Sequence, residues 1–117
     1  ACLSPLDENT LILFGGAETR DGGLVGLNDV WSLSINIEKG LGVWKCLLKD
    51  QAADISRPPG RNAATLTRIN AQALLPPALI KSESSLDKVP AYFLLQGGWN
   101  PFRRTYDDVF VLCILPE

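Results

Sequence analysis

Short apolar runs recur along the chain, whereas an apolar period of 3.6 residues is weak throughout. The runs are bounded by Gly, Pro, Asn and Asp, which is typical of short antiparallel strands. The pattern therefore predicts an all-β fold. The predicted strands are Leu11–Phe14, Val30–Ile35, Val43–Leu48, Ala63–Ile69, Tyr92–Gln96 and Val109–Leu115.

Two of these strands, Leu11–Phe14 and Val109–Leu115, are apolar at every position. A strand with one face in water alternates apolar and polar residues, as Val30–Ile35 partly does. Continuously apolar strands need protein on both faces. We therefore expect antiparallel sheets that are stacked face to face.

One sequence unit occurs twice along the chain. In each copy an apolar strand ends in two glycines, a polar loop follows, and an acidic residue precedes the next apolar strand. The first copy comprises Leu11–Gly16 and Asn28–Leu33, and the second comprises Phe93–Gly98 and Asp107–Leu112. This duplication indicates a repeat architecture.

The paired glycines mark places where the chain can adopt a positive φ or where another backbone can approach closely. Asp29 and Asp108 are expected to hydrogen-bond nearby backbone amides and so to fix the turn before their strands. Asp107 and Asp108 are neighbours on one predicted strand and would point to opposite faces. They form no acid–base pair, and no catalytic residue is predicted.

Two further landmarks follow the first copy of the unit. Trp44 anchors a third strand, and the segment Arg57–Arg61 contains two prolines and a glycine that break the chain before the next strand. In this order, the elements resemble the kelch repeat. The resemblance covers most of the chain outside about residues 70–90. It implies a β-propeller, in which four-stranded blades pack around a central channel.

A kelch unit has about 50 residues and a propeller about 4 to 8 blades, so the resemblance implies an incomplete arc. Residues 11–48 would be strands 2 to 4 of one blade, and residues 63–115 strands 1 to 3 of the next, with a long insert at about residues 70–91. The remaining blades, from the same chain or from another copy, are implied neighbours. The resemblance gives structural roles to Gly15, Gly16, Asp29, Trp31, Trp44, Arg61, Gly97, Gly98, Asp108 and Phe110.

The sequence departs from the kelch pattern in two places. Kelch units often carry a histidine after the arginine of the Pro-x-Arg stretch, where this chain has Ala63-Ala64. The connection from Asn70 to about Ala91 is also longer than the family's usual turn. It is interpreted as a linker-like loop, with an apolar docking motif as the alternative.

The balance of charge excludes one class of partner. With 11 basic and 13 acidic residues, the chain has a formal net charge of -2. No broad positive field exists to attract phosphate backbones, so no nucleic acid partner is expected. The chain also has no histidine, the most common general base and metal ligand. No metal site and no cofactor are predicted.

Glycine-rich segments and cysteines offer no further chemistry. Gly22–Gly26 lacks the spacing of a dinucleotide site and is interpreted as a loop. Cys2, Cys46 and Cys113 are interpreted as small buried apolar residues, which favours a reducing compartment and a cytoplasmic or nuclear location. No apolar run approaches the roughly 20 residues that span a bilayer, so no membrane partner is expected.

Consecutive antiparallel strands reverse direction, so the loops after the second and fourth strands of a blade share one face of a propeller. This face would carry residues 17–27, 50–62 and 99–106. The resemblance points to Glu18, Arg20, Asn62, Trp99 and Asn100 as partner-binding residues at the mouth.

The segment that follows Trp99 adds residue types that are enriched at interaction surfaces. Phe102 supplies an aromatic ring, and Arg103 and Arg104 supply guanidinium groups suited to carboxylates. These residues support a protein–protein interaction module, acting as an adaptor, scaffold or substrate receptor that binds a protein or peptide. In the alternative interpretation, Trp99 and Phe102 pack on a neighbouring blade and the arginines form a solvated turn.

Another function class stays open, a fragment of a propeller-fold enzyme. The resemblance extends to galactose-oxidase-like copper oxidases and metal-assisted lyases, whose sites need His, Tyr or Cys converging at the mouth. Tyr106 and Cys113 do not form such a group. For Arg61, the simplest role is to satisfy loop carbonyls with its five donors.

Overall fold

The chain folds into antiparallel β-sheets, as the apolar pattern predicts. The structure is a computed structural model that describes residues 1–70, 90–101 and 103–115, and these residues contain no helix. The predicted insert at about residues 70–91 lies almost wholly outside the described residues, as does Phe102.

Sheet 1 is a four-stranded antiparallel sheet in which each strand pairs with the next one along the chain. Its strands are β1 (Cys2–Pro5), β2 (Thr10–Arg20), β3 (Gly23–Asn36) and β4 (Leu41–Leu48). The sequence pattern did not predict β1, which is short and ends in a proline. It also ended β2 too early, at Phe14, and began β3 too late, at Val30.

The turn between β2 and β3 explains why these strands are longer than predicted. Asp21 and Gly22 both have positive φ, 52° and 80°, and Arg20 pairs directly with Gly23. This is a two-residue type I′ hairpin, for which Asp-Gly is a preferred sequence. The interpretation of Gly22–Gly26 as a loop is therefore wrong, because Gly23–Gly26 lies within β3.

Sheet 2 follows with three antiparallel strands, β5 (Thr65–Ile69), β6 (Ala91–Gln96) and β9 (Val109–Ile114), with β6 in the centre. Between β6 and β9, a small hairpin pairs β7 (Trp99–Asn100) with β8 (Arg104–Thr105). The sequence pattern predicted the three strands of sheet 2 to within two residues but not the hairpin.

The two sheets pack against each other through one face each. Sheet 1 contributes Ile12, Phe14 and Val30, and sheet 2 contributes Leu66, Ala91, Phe93 and Leu95, all of them buried. Half-buried side chains surround this cluster on both sheets, among them Cys2, Leu47, Phe110 and Leu112. Apolar burial at this interface holds the two sheets together.

The opposite face of sheet 1, called the outer face below, is only partly covered by the described residues. It carries Leu3, Leu11, Leu13, Trp31, Leu33 and Trp44, which share one side of the sheet by strand register. Leu3 is 53% exposed and Trp44 is 52% exposed. The expectation of protein on both faces is met on only one face within these residues. Trp44 lies on β4, an edge strand of sheet 1.

The three cysteines form no disulfide with one another and are half-buried, whereas their sequence context predicted buried side chains. Burial raises the pKa of the Cys2 thiol above its usual value. A separate search of the described residues for a helix that could cross a membrane found none.

Candidate interaction edge

The double glycines let another backbone reach the ends of the strands. Gly15 and Gly16 have φ values of 67° and 117°, and Gly97 and Gly98 have values of 68° and 89°. A Cβ on Gly15 would lie 2.7 Å from the carbonyl oxygen of Arg61. Side chains here would push the crossing backbone away, which is why the unit carries glycine at these positions.

The crossing backbone belongs to the linker, residues 49–64, between the two sheets. Arg61 donates its N–H to the Leu27 carbonyl at 3.0 Å and accepts from the Gly16 N–H at 3.0 Å. The next residue, Asn62, exchanges two backbone hydrogen bonds with Trp99, at 2.7 and 2.9 Å. Adjacent linker residues thus bind sheet 1 on one side and the β7–β8 hairpin on the other.

The Arg61 side chain lies between the sheets, with 1% of the residue exposed. Its guanidinium donates to both carboxylate oxygens of Asp108, one of them at 3.0 Å, and to the Gly97 carbonyl at 2.9 Å. Its Cζ lies 4.1 Å from the ring centre of Tyr106 and 5.6 Å from that of Phe110. The Arg61 hydrogen bonds hold the pKa of Asp108 below its usual value.

The carboxylates of the repeated unit also bind side chains. Both were expected to accept from nearby backbone amides; Asp108 does so and also pairs with Arg61, and Asp29 accepts the indole N–H of Trp31 at 2.8 Å. The other oxygen of Asp29, Oδ1, is buried and has no hydrogen-bond partner among the described residues.

Sequence reasoning missed a second polar cluster, which fixes the start of the linker. Asn28, 1% exposed, donates its side-chain amide to the carbonyls of Gln51 and Pro58 and accepts from the Gln51 N–H. Asp50 accepts the Asn28 N–H at 2.8 Å, and buried Arg57 donates to the Asn28 carbonyl at 3.2 Å. The signal in the sequence was Asn28 beside Asp29, a polar pair interrupting an apolar stretch.

Three predicted loop segments meet at one edge of the molecule, called the interaction edge below. It consists of the β2–β3 turn region (residues 17–27), the linker and the β7–β8 hairpin. Gly26 and Gly60 are in contact across this edge, and Asn62 forms an antiparallel β-bridge with Trp99. The side-chain oxygen of Asn62 also accepts from the terminal ammonium of Ala1 at 2.7 Å.

The hairpin carries the most accessible chemistry of this edge. Trp99 is 40% exposed, and Arg103 and Arg104 are exposed. With Asn100 and Thr105 they line an open cavity of about 260 Å³. The Asn100 side-chain oxygen is buried without a hydrogen-bond partner among the described residues.

Glu18 and Arg20 lie beyond the glycines, near the tip of the β2–β3 hairpin. They form an exposed ion pair with each other, and Arg20 also approaches Asp50 at 3.9 Å. Among the described residues, neither Arg103 nor Arg104 has a carboxylate partner, so the β7–β8 hairpin carries unpaired positive charge.

The described residues offer no group of three or more Cys, Asp or Glu side chains that could hold a metal ion. Tyr106, considered for a copper site, stacks on Arg61. A larger cavity, about 560 Å³, opens between the sheets at the opposite end of the molecule, where Arg68 donates to the Leu6 carbonyl.

Comparison of this chain with protein-family profiles, with curated proteins and with solved structures found no significant match.

Proposed function

We propose that this chain is part of a kelch-type β-propeller that serves as a protein-interaction module and binds a peptide at the interaction edge. The carrying observation is the open cavity lined by Trp99, Arg103 and Arg104 on a hairpin anchored by Asn62. An aromatic ring beside guanidinium groups is the combination that most often anchors a partner. A peptide with carboxylate side chains complements this surface.

Three features support the propeller part of the proposal. Sheet 1 is a four-stranded meander, the repeated unit occupies corresponding places in both sheets, and both pairs of glycines have positive φ. The outer face of sheet 1 is apolar and half-exposed, as expected for a blade whose neighbour lies outside these residues. Fold alone does not give function, so the interaction role depends on the chemistry of the edge.

Selection from a random peptide library against the immobilised chain tests the interaction role. We expect enriched peptides to carry Asp or Glu and to lose at least tenfold in affinity for the Trp99→Ala/Arg103→Ala variant, because the anchor ring and one cation are removed.

The matched control is Ile37→Ala/Lys39→Ala, which removes an exposed apolar side chain and a cation from the β3–β4 turn at the opposite end. It should bind the selected peptides as the unchanged chain does. Peptides that bind all three proteins equally, or no enrichment at all, would refute binding at this edge.

A further inference from the structure

Sheet 1 covers one face of sheet 2. By the sequence repeat, the outer face of sheet 1 corresponds to that covered face. Leu11 and Leu13 correspond to Phe93 and Leu95, and Leu33 corresponds to Leu112. Phe93 and Leu95 are buried against sheet 1, whereas Leu11 and Leu13 are only half-buried. The kind of surface that fits the outer face is therefore visible in the molecule itself: a β-sheet with apolar side chains such as Ile12, Phe14 and Val30.

The same correspondence shows that Asp29, the counterpart of Asp108, has no arginine partner among the described residues. Asp108 receives two guanidinium hydrogen bonds from Arg61, an arginine held in the linker ahead of its sheet. Asp29 receives only the neutral indole N–H of Trp31, and its buried Oδ1 has no partner among the described residues. A sheltered carboxylate oxygen without a donor is costly, whereas pairing with a guanidinium satisfies it.

Strand register fixes where the cation would come from. Cys2 pairs with Phe14 as Thr65 pairs with Gln96, so Ala1 corresponds to Ala64. Arg61 lies three residues ahead of Ala64, and its counterpart would lie three residues ahead of Ala1. Gly16 supports this register, because a Cβ there would meet Ala1 as one on Gly98 would meet Ala64.

We infer that the outer face of sheet 1 binds a further β-sheet unit, and that the linker running from that unit into sheet 1 carries an arginine for Asp29. The inference rests on the propeller part of the proposed function and adds the recognition chemistry at this junction. The indole of Trp31 fills one oxygen of Asp29, and the incoming guanidinium fills the other. The apolar face of the incoming sheet covers Leu11, Leu13 and Leu33.

The test supplies the arginine in cis. Residues 57–63 of this chain are copied directly ahead of Ala1. The copied arginine then lies three residues ahead of Ala1, as Arg61 lies three residues ahead of Ala64. The matched control carries glutamine in place of that copied arginine. Both proteins are made with Asp29 and with Asp29→Asn, and the thermal unfolding midpoint is measured for all four.

We expect the arginine to raise the midpoint by about 4 °C over the glutamine control, and only when Asp29 is present. The Trp31 indole N–H signal, assigned with Trp31→Phe, should shift in the same variant because its acceptor is now shared. This spectral measurement does not depend on the stability of any variant.

Equal midpoints and an unmoved indole signal with and without the arginine would overturn the inference, as would a gain that persists in Asp29→Asn. A dimer of the unextended chain that Leu3→Gln dissociates would also overturn it, because a second copy would then occupy the face. Peptide binding at the interaction edge is measured without the extension, so failure of either proposal is recognised separately.

Discussion

At the scale of single residues, the two sheets are joined by an arginine that sequence alone presents as a loop residue. Arg61 lies in a proline-rich segment, and its partner Asp108 is 47 residues away. The repeat identified Asp108 as a structural residue but did not identify Arg61 as its partner. The pairing between them depends on how the two sheets stack, which the repeat does not show. The Arg61 side chain is fully buried and the Asp108 side chain is 33% exposed, so removing the carboxylate leaves a buried charge without its partner.

Replacing Asp108 with Asn should lower the free energy of unfolding by about 3 kcal/mol at pH 7, since the buried guanidinium loses its carboxylate. The pKa of Asp108 is lowered from 3.8 by Arg61, so this stabilisation is present above about pH 4 and is lost as the pH falls through the lowered value. Urea unfolding at a series of pH values measures it.

The difference between Asp108→Asn and the unchanged chain should therefore shrink progressively as the pH is lowered below about 4. Asp107→Asn, an exposed neighbour, is the control and should change the unfolding free energy by less than about 0.5 kcal/mol. A pH-independent loss in Asp108→Asn would mean that the ion pair does not stabilise the junction.

At the scale of elements, the apolar runs predicted the central strands, because a buried strand is recognisable from consecutive apolar residues alone. The end of β2 is polar and the start of β3 is glycine-rich, and the pairing of these two segments comes from the Asp21-Gly22 turn rather than from a continuous buried apolar run. That turn signal was present in the sequence and was outweighed by the polar residues and glycines around it. The strand β1 could not be predicted, because its partner β2 supplies all its pairing.

Contact between Gly26 of β3 and Gly60 of the linker provides a test of how closely these elements must approach. A Cβ on Gly26 would lie 2.8 Å from the Gly60 carbonyl oxygen, so Gly26→Ala must displace the linker. We expect a loss of about 3 kcal/mol in the free energy of unfolding, within the range for overpacking backbone contacts.

Gly40→Ala is the comparison for this prediction. Gly40 has a φ of 65° but open space around it, so alanine there should cost only about 1 kcal/mol through backbone strain. Chemical unfolding measures both variants. Equal losses would show that the linker can retreat from β3 without cost.

At the scale of the whole molecule, the sequence predicted sheets stacked face to face, and the structure confirms one such interface. What the sequence could not assign is which face would be left open, since Leu11 and Ile12 are equally apolar and only the stacking separates them. The outer face of sheet 1 remains as an apolar surface that single-domain proteins usually cover.

The chain should therefore bind the dye 8-anilinonaphthalene-1-sulfonate in its native state. Leu3→Gln/Trp44→Gln should reduce the fluorescence of the bound dye at least twofold, because both side chains are half-exposed on the outer face. Ile55→Gln, which changes a fully exposed but isolated side chain in the linker, should leave it unchanged. Equal dye fluorescence in all three proteins would place the apolar surface elsewhere.

The backbone of Arg61 is hydrogen-bonded to the first sheet, and the backbone of the next residue, Asn62, is hydrogen-bonded to the hairpin of the second. A single peptide unit, about 3.8 Å from one Cα to the next, therefore carries backbone bonds to both sheets and restrains the rotation between them. In a ring of such units this small, fixed step would accumulate. The number of units needed to complete the circle would then be decided at this joint, independently of the length of any surface loop.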